Sequence, residues 1–276
     1  MVLLHSSVSL TLRESFQIVT ITLLSLLLPL SFLLLSRFLV FHYLISLNAF
    51  PSPQLSSFLL SFFLYINPSL LCFLVSIVSI ATLIHGLTGK LITFLTESPA
   101  GRLHAAWIFV CTLQVCVGLG IEGTIAAGVE PPGSLGMEEI SLLSKGVFFL
   151  GLHETTLHWC RVVVKPVVDD TVFGVAREER WAERAAMAAS FCGLWWWRLR
   201  EQVEFLAVLP EFKREVVMGV EVADFVGWWL YYLTATIGMV RVVKGIMWVA
   251  ILLLCRRAGR GKKPEDDHSN GDEDTV

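Results

Sequence analysis

The stretch FQIVTITLLSLLLPLSFLLLS, residues 16–36, contains no charged residue. A helix needs about 20 mostly apolar residues to cross a bilayer, because about 30 Å of hydrocarbon must be spanned at roughly 1.5 Å per residue. The backbone in lipid must satisfy its own hydrogen bonds, so an apolar run of this length favours a helix. Residues 16–36 therefore predict a transmembrane helix, and we expect Arg37 to mark its end by reaching the membrane interface.

The composition of the whole chain is typical of a membrane protein. Its 276 residues are 55% hydrophobic and 16% charged, with a mean hydropathy of +0.68. Soluble domains are about 25% charged, so this chain has too little polar surface to stay dissolved. The net charge of −3 gives no reason to expect nucleic acid as a partner.

Further apolar runs predict more crossings. We predict an all-α, polytopic helical membrane protein with four to six transmembrane helices. Residues 38–47 could extend the first helix or lie along the surface, and residues 55–65 could form a re-entrant or interfacial piece. Alternatively, residues 38–65 hide another crossing. The predicted spans lie near residues 16–36, 66–86, 105–128 and 140–164, with 185–203 and 225–240 as candidates for the last two.

The Lys and Arg residues of the loops predict the orientation of the chain. The loop 129–140 carries neither, whereas the loop 87–103 carries Lys90 and Arg102. Loops rich in Lys and Arg stay in the cytoplasm. We therefore expect a helical membrane domain of residues 16–255, with these segments in the cytoplasm: the N-terminus 1–15, the loop 87–103, the segment 161–184 and the tail 256–276.

This orientation constrains the number of spans. Two cytoplasmic ends require an even number of crossings between residues 184 and 256. If residues 185–203 cross the membrane, the chain has six spans. If residues 225–255 form a re-entrant hairpin instead, it has four. We favour six, in a plasma membrane or endomembrane.

The fourth predicted span carries a stripe of polar residues. They recur at spacings of three and four, so at about 100° per residue they share one helix face. Ionisable groups are costly in hydrocarbon, so this face should point into the helix bundle. The stripe consists of Gly151, Glu154, Thr155, His158, Arg161 and Lys165.

Matching depths predict partners for these residues. Glu122 and Lys145 lie at similar depth near the outer ends of their helices and could pair. Glu154, His158 and Arg161 match His85 in the cytoplasmic half. Two interpretations stay open: a polar cavity or proton relay that opens to the cytoplasm, and an interhelical ion-pair network that fixes packing. The packing network is the commoner case.

No motif predicts an enzyme, a metal or a cofactor. The string HETTLH places His153 and His158 five residues apart, so they diverge by about 140° and do not form the metalloprotease pair. The six cysteines contain no CxxC pair, which argues against a disulfide framework or a zinc site. We therefore expect a protein that is not an enzyme.

The last residues predict contacts at the membrane surface. Cys255 stands directly before basic residues, so it is a candidate for S-palmitoylation. The basic cluster can attract anionic lipid, and the acidic end of the tail is typical of disorder. The cluster consists of Arg256, Arg257, Arg260, Lys262 and Lys263.

Two strings carry a resemblance to known sequences. The strings ATLIHGLTGK at 81–90 and FLGLHETTLHW at 149–159 resemble those of uncharacterised plant multi-pass transmembrane proteins, over roughly residues 66–240. The resemblance implies a plant membrane protein and supplies no activity.

The sequence leaves two functional hypotheses. The first is a non-enzymatic protein that organises or binds other membrane proteins, based on the missing catalytic residues and the charged tail. The alternative is a small transporter or channel with a cytoplasm-facing polar cavity or proton relay on the fourth predicted span.

Overall fold

The computed structural model describes residues 2–46, 68–91, 100–126, 128, 141–170, 180–215 and 222–260. These ranges are almost entirely helical and contain no strand, so the all-α class is confirmed. Segments of π-helix include Cys160–Val164 and Trp195–Leu199, which follow the fifth and seventh helices. The helices are α1 Val2–Ser25, α2 Leu27–Ser46, α3 Pro68–Thr88, α4 Ala100–Ala126, α5 Leu142–Trp159, α6 Lys165–Val168, α7 Trp181–Leu194, α8 Arg200–Gln202, α9 Phe205–Glu215 and α10 Val222–Arg260.

Four of the described helical stretches are long and apolar enough to cross a membrane: Leu12–Leu44, Leu71–Thr88, Leu103–Ile125 and Val222–Arg256. The first three contain or overlap the first three predicted spans. The fourth is α10, whereas the predicted span at 140–164 is not among them. That segment contains α5. The polar residues of α5 lower its mean hydropathy, and the helix lies inside the bundle rather than at its edge.

The first helical stretch runs past Arg37, which corrects the expected end at an interface. Arg37 is buried. Its Nε donates to Oε1 of Gln202 at 2.8 Å, and its NH1 group donates to Oγ1 of Thr124 at 3.1 Å. A buried guanidinium needs such partners, and these come from α8 and α4. The helix therefore continues to Ser46, while residues 47–67 lie outside the described ranges.

Two contacts fix the direction of α5. The indole of Trp159, at the end of α5, donates to the carbonyl of Leu24 at 3.3 Å. Phe148, near its start, packs edge-on against Phe32 with ring centroids 6.2 Å apart. The end of α5 thus meets the earlier part of the α1–α2 stretch, so the two run antiparallel.

The run from α7 to α8 returns in the direction of α1 and α2. At its start, Arg180 pairs with Glu14 at 2.8 Å. At its end, the Ser36 hydroxyl donates to the carbonyl of Gln202. This run contains the candidate span 185–203, which therefore makes a full pass of the bundle.

The last helix, α10, runs parallel to α5. Phe148 stacks on Tyr231 with centroids 4.5 Å apart, and Glu154 lies 3.6 Å from Arg241. Because α10 is one continuous helix, the re-entrant hairpin considered for residues 225–255 is wrong.

The remaining long helices complete the path. The ring of Phe109 on α4 packs against Trp159, with centroids 6.4 Å apart, so α4 is antiparallel to α5. The first turns of α3 pack near Phe38, and its last turn lies against α10, where Gly86 faces Val240. The described helices thus make six passes of alternating direction, four of them in stretches long and apolar enough to cross a membrane, and the number of membrane spans stays a prediction.

A pair of glycines brings α5 and α10 into backbone contact. A methyl group on Gly151 would overlap the carbonyl oxygen of Thr234, and one on Gly238 would overlap that of Val147. Small residues permit such close approach between membrane helices. The contact between α5 and α10 is the most extensive between any two described helices.

Candidate functional site: a histidine pocket

The charged residues predicted as one network separate into several groups. Lys145 pairs with Glu204, between α8 and α9, at 2.8 Å. Glu122 is exposed on α4. Lys145, near the start of α5, therefore pairs with Glu204 in the turn between α8 and α9, and not with Glu122 as suggested from the sequence.

The predicted polar stripe ends at a π-helical segment. Residues Cys160–Val164 follow α5 with wider hydrogen-bond spacing, and an inserted residue turns the following side chains by about 100°. Lys165 consequently contacts α7, where its Nζ lies 3.1 Å from Oε2 of Glu183. Arg161 lies within the segment and is partly exposed. The residues predicted to share one helix face, from Gly151 to Lys165, therefore do so only from Gly151 to His158.

The structure brings His85 and His158 together from α3 and α5. Their ring centroids are 5.5 Å apart, with the planes inclined at 33°. His158 is only 4% exposed. Within the described part of the chain, neither of its ring nitrogens has a hydrogen-bond partner, and the same holds for Nδ1 of His85. The depth match made from the sequence thus leads to a direct contact.

These histidines lie at a pocket between α3, α5 and α10, which we call the histidine pocket. It encloses about 450 Å³ of empty space, part of which is open to the surroundings. His85 is in its wall, and His158 lies behind that ring. The lining residues are Thr82, Leu83, His85, Gly86, Gly89, Glu154, Ile237, Val240, Arg241 and Lys244.

Three charged side chains surround the histidine pocket. NH1 of Arg241 lies 3.6 Å from Oε2 of Glu154. The Arg241 side chain is 60% exposed, whereas that of Glu154 is 16% exposed. Lys244 donates from Nζ to the carbonyl oxygen of Gly86, near the end of α3. The pocket therefore combines two cations, one carboxylate and a histidine in its wall.

Arg241 and Lys244 are the site residues that the sequence analysis missed. In the sequence they are two charges that interrupt the last apolar run. A signal was present, because two cations inside a run long enough to span a membrane need a protein or water-filled environment. Their partners could not be named, since α3 and α5 are distant in the sequence.

His153 lies apart from this pocket. Its ring packs against Phe191 on α7, with centroids 5.3 Å apart. His153 and His158 thus face different helices, in line with the angle calculated from their spacing. In the described ranges, no group of three or more His, Cys, Asp or Glu side chains could hold a metal ion.

Two polar contacts lie near the two ends of the bundle. Lys213 on α9 and Asp224 in the first turn of α10 are both buried and pair at 2.8 Å. At the other end, Nε2 of Gln17 donates to Oδ1 of Asp169 at 2.6 Å. Burial raises the pKa of Asp169, while Gln17 and Lys165 oppose the shift. Both contacts join separate helices, so they serve packing.

The predicted surface-binding residues lie at the end of α10. Cys255 and Arg256 are exposed, and the helix continues to Arg260. Lys262 and Lys263 lie outside the described ranges. Lipidation of Cys255 and binding of anionic lipid by this cluster stay predictions.

The chain was compared with protein-family models, curated proteins and solved structures. None of them matches it, so the geometry of the histidine pocket is the basis for interpreting its function.

Proposed function

We propose that the chain is a small membrane transporter or channel, and that protons pass through the histidine pocket. The observation that carries this proposal is the contact between His85 and His158 beside an open, charged pocket. A buried polar group without a partner costs about 1–3 kcal/mol, and a charge at the centre of a bilayer costs about 2.5–3.5 kcal/mol on insertion scales. Such costs are commonly retained where they serve function.

Ion pairs elsewhere in the bundle are shorter than the contact at the histidine pocket, and this difference supports the proposal. The pairs of Lys145, Lys165 and Lys213 have N–O distances of 2.8–3.1 Å and join neighbouring helices. Around the histidine pocket, the Glu154–Arg241 contact is longer, and within the described ranges both ring nitrogens of His158 and Nδ1 of His85 have no hydrogen-bond partner. A network that only fixes packing would be expected to close there as well.

The depth of the histidine pocket also favours transport. The exposed Trp196, Trp197 and Tyr232 lie near one level, because the adjacent Trp195 and Tyr231 both pack on Phe148, and such rings are typical of the belts at membrane interfaces. Along α10, Arg241 lies about 14 Å from Tyr232 and about 22 Å from Arg256. These distances support a position of the pocket within the hydrocarbon layer, where ionisable residues are by default functional candidates.

The loops predict the side to which the histidine pocket opens. α3 ends at Thr88, beside the pocket, and the loop 87–103 is predicted to be cytoplasmic. A proton could enter at Glu154, the carboxylate in the pocket wall, and continue to the histidine rings, since each neutral ring both donates and accepts. Arg241 and Lys244 face the same space and oppose the accumulation of positive charge there.

Proteoliposomes provide the test. An acid load is imposed outside, and a trapped pH dye reports proton entry for the wild type, His158→Asn and Glu154→Gln. We expect wild-type flux above that of empty liposomes and a loss of about tenfold or more in each variant. His153→Asn is the matched control on the same helix and should keep wild-type flux.

Absence of wild-type flux would refute the proposal, as would full flux in both pocket variants. Thermal unfolding in detergent and gel filtration identify variants that fail to fold. Should His158→Asn be unstable, Glu154→Gln alone carries the comparison, because Glu154 is at the pocket wall and less deeply buried.

The interaction role favoured by the sequence rests on the tail, and residues 261–276 lie outside the described ranges. It stays a prediction. Removal of residues 256–276 should abolish capture of a membrane partner in detergent pull-downs while leaving the stability of the helical domain unchanged.

A further inference from the structure

We infer that Arg241 and Lys244 bind a small anion, through a carboxylate or phosphate group, in the histidine pocket. This inference adds a second solute, beside the proton, to the proposed transport function and rests on that function. Binding can nevertheless be measured without flux, so the two proposals can fail separately.

The charges around the pocket favour an anion over a cation. Arg241 and Lys244 contribute two positive charges and Glu154 contributes one negative charge. A second cation would be repelled by this excess, whereas an anion would be attracted, most strongly where water is scarce. Protonation of His85 would increase the excess.

Donor groups remain for such a ligand. A guanidinium has five N–H donors and an ammonium has three. The contact of Arg241 with Glu154, at 3.6 Å, is long beside the roughly 2.7–2.9 Å of a charge-assisted hydrogen bond. Lys244 uses one donor on the Gly86 carbonyl. The planar fork of an arginine suits carboxylate and phosphate groups in particular.

Lys244 also removes an electrostatic obstacle. The C-terminal end of a helix carries a partial negative charge from its free carbonyl groups. The end of α3 would therefore repel an anion in the pocket. Because Lys244 binds the Gly86 carbonyl there, part of that charge is neutralised.

Size and access limit the ligand to a small molecule or group. The space that a water-sized molecule can reach in the pocket is about 100 Å³, below the roughly 300–1,000 Å³ of pockets for drug-sized ligands. Leu83, Ile237 and Val240 provide apolar walls. The exposed Arg241 side chain leaves the pocket accessible from outside the bundle.

A free anion and a lipid headgroup can both present a carboxylate or phosphate group. A lipid can bring its headgroup to the pocket because exposed apolar side chains such as Leu87 and Val243 lie near the opening. The source is therefore decided by experiment. Protein is placed in nanodiscs of phosphatidylcholine, and thermal unfolding is followed against sodium acetate or sodium phosphate. Sodium and potassium salts of the same anion are compared to separate the effect of the anion from that of the cation. A second set of nanodiscs contains phosphatidic acid to test a lipid headgroup as the ligand.

We expect acetate or phosphate to raise the unfolding temperature with saturation, independently of the cation. Arg241→Gln and Lys244→Gln should each weaken the apparent affinity about tenfold or more. Lys90→Gln and Arg256→Gln, at exposed cations outside the pocket, should leave it unchanged. Glu154→Gln should tighten binding, a direction that loss of structure would not produce.

Stabilisation by phosphatidic acid with no effect of soluble anions would assign the anionic group to lipid. Stabilisation by neither, or the same stabilisation by anions in Arg241→Gln and Lys244→Gln as in the wild type, would overturn the inference. Cation-selective flux without anion binding would overturn it while leaving transport intact. Anion binding without any flux would support this site and refute transport.

Discussion

Alanine at Gly238 or Gly151 should separate α5 from α10. An ideal Cβ on Gly238 would overlap the carbonyl oxygen of Val147 and lie 3.0 Å from the backbone nitrogen of Gly151. Backbone atoms cannot rotate away as side chains do, so the helices must move apart. Overpacking of this kind costs about 1–3 kcal/mol. Alanine regains up to about 1 kcal/mol through its higher helix propensity.

The net result is a predicted loss of about 1–2 kcal/mol for Gly238→Ala and Gly151→Ala. Further loss should follow from the Phe148–Tyr231 stack, whose centroids are now 4.5 Å apart. Reversible unfolding in detergent micelles measures these changes as differences in free energy.

The same two helices supply matched controls. A Cβ on Gly146 of α5 or on Gly245 of α10 meets no atom within 4 Å. Alanine at these positions should leave stability unchanged or raise it by up to about 1 kcal/mol through propensity. Equal stabilities for all four variants would refute the close crossing.

Other polar contacts give further predictions. Asp224→Ala leaves the buried ammonium of Lys213 without its carboxylate, so we expect a loss of about 3–5 kcal/mol in detergent unfolding, and a loss below about 1 kcal/mol would contradict the buried pair. Arg37→Leu removes hydrogen bonds to two other helices and should cost about 1–3 kcal/mol in the same assay. The raised pKa of Asp169 means that the folded state holds its proton more tightly than the unfolded state. Stability from this group therefore falls as pH rises above its ordinary pKa of 3.8. Asp169→Asn should remove that decline and be the more stable at pH 7, whereas the exposed Asp170→Asn should do neither.

The lipid-facing helices could be predicted closely from the sequence. The span predicted at 66–86 is Pro68–Thr88 in the structure. A helix that contacts lipid on most sides must be apolar on most sides, so its hydropathy alone identifies it. The first helix was predicted too short, because Arg37 was assigned to an interface. A buried arginine differs from an interfacial one only through partners on distant segments.

The enclosed helices were harder to place. The stripe on α5 was correctly expected to face protein, and the depth match of His85 with His158 led to the contact found in the structure. The break after His158 could not be foreseen. A π-helical segment depends on tertiary packing more than on local propensity, and the three consecutive valines of Cys160–Val164 lower helix propensity only slightly.

The glycine crossing and the histidine pocket are connected through helix geometry. Glu154 lies one turn beyond Gly151, and Arg241 lies one turn beyond Gly238. At the crossing, missing side chains let the backbones touch. One turn further, long side chains must occupy the diverging space between the helices, and α3 ends there rather than filling it. The polar groups of α5 are paired at both ends of the helix, by Glu204 and beyond the π segment by Glu183, but between them the crossing leaves a space across which Glu154 and Arg241 make only a longer contact, at 3.6 Å.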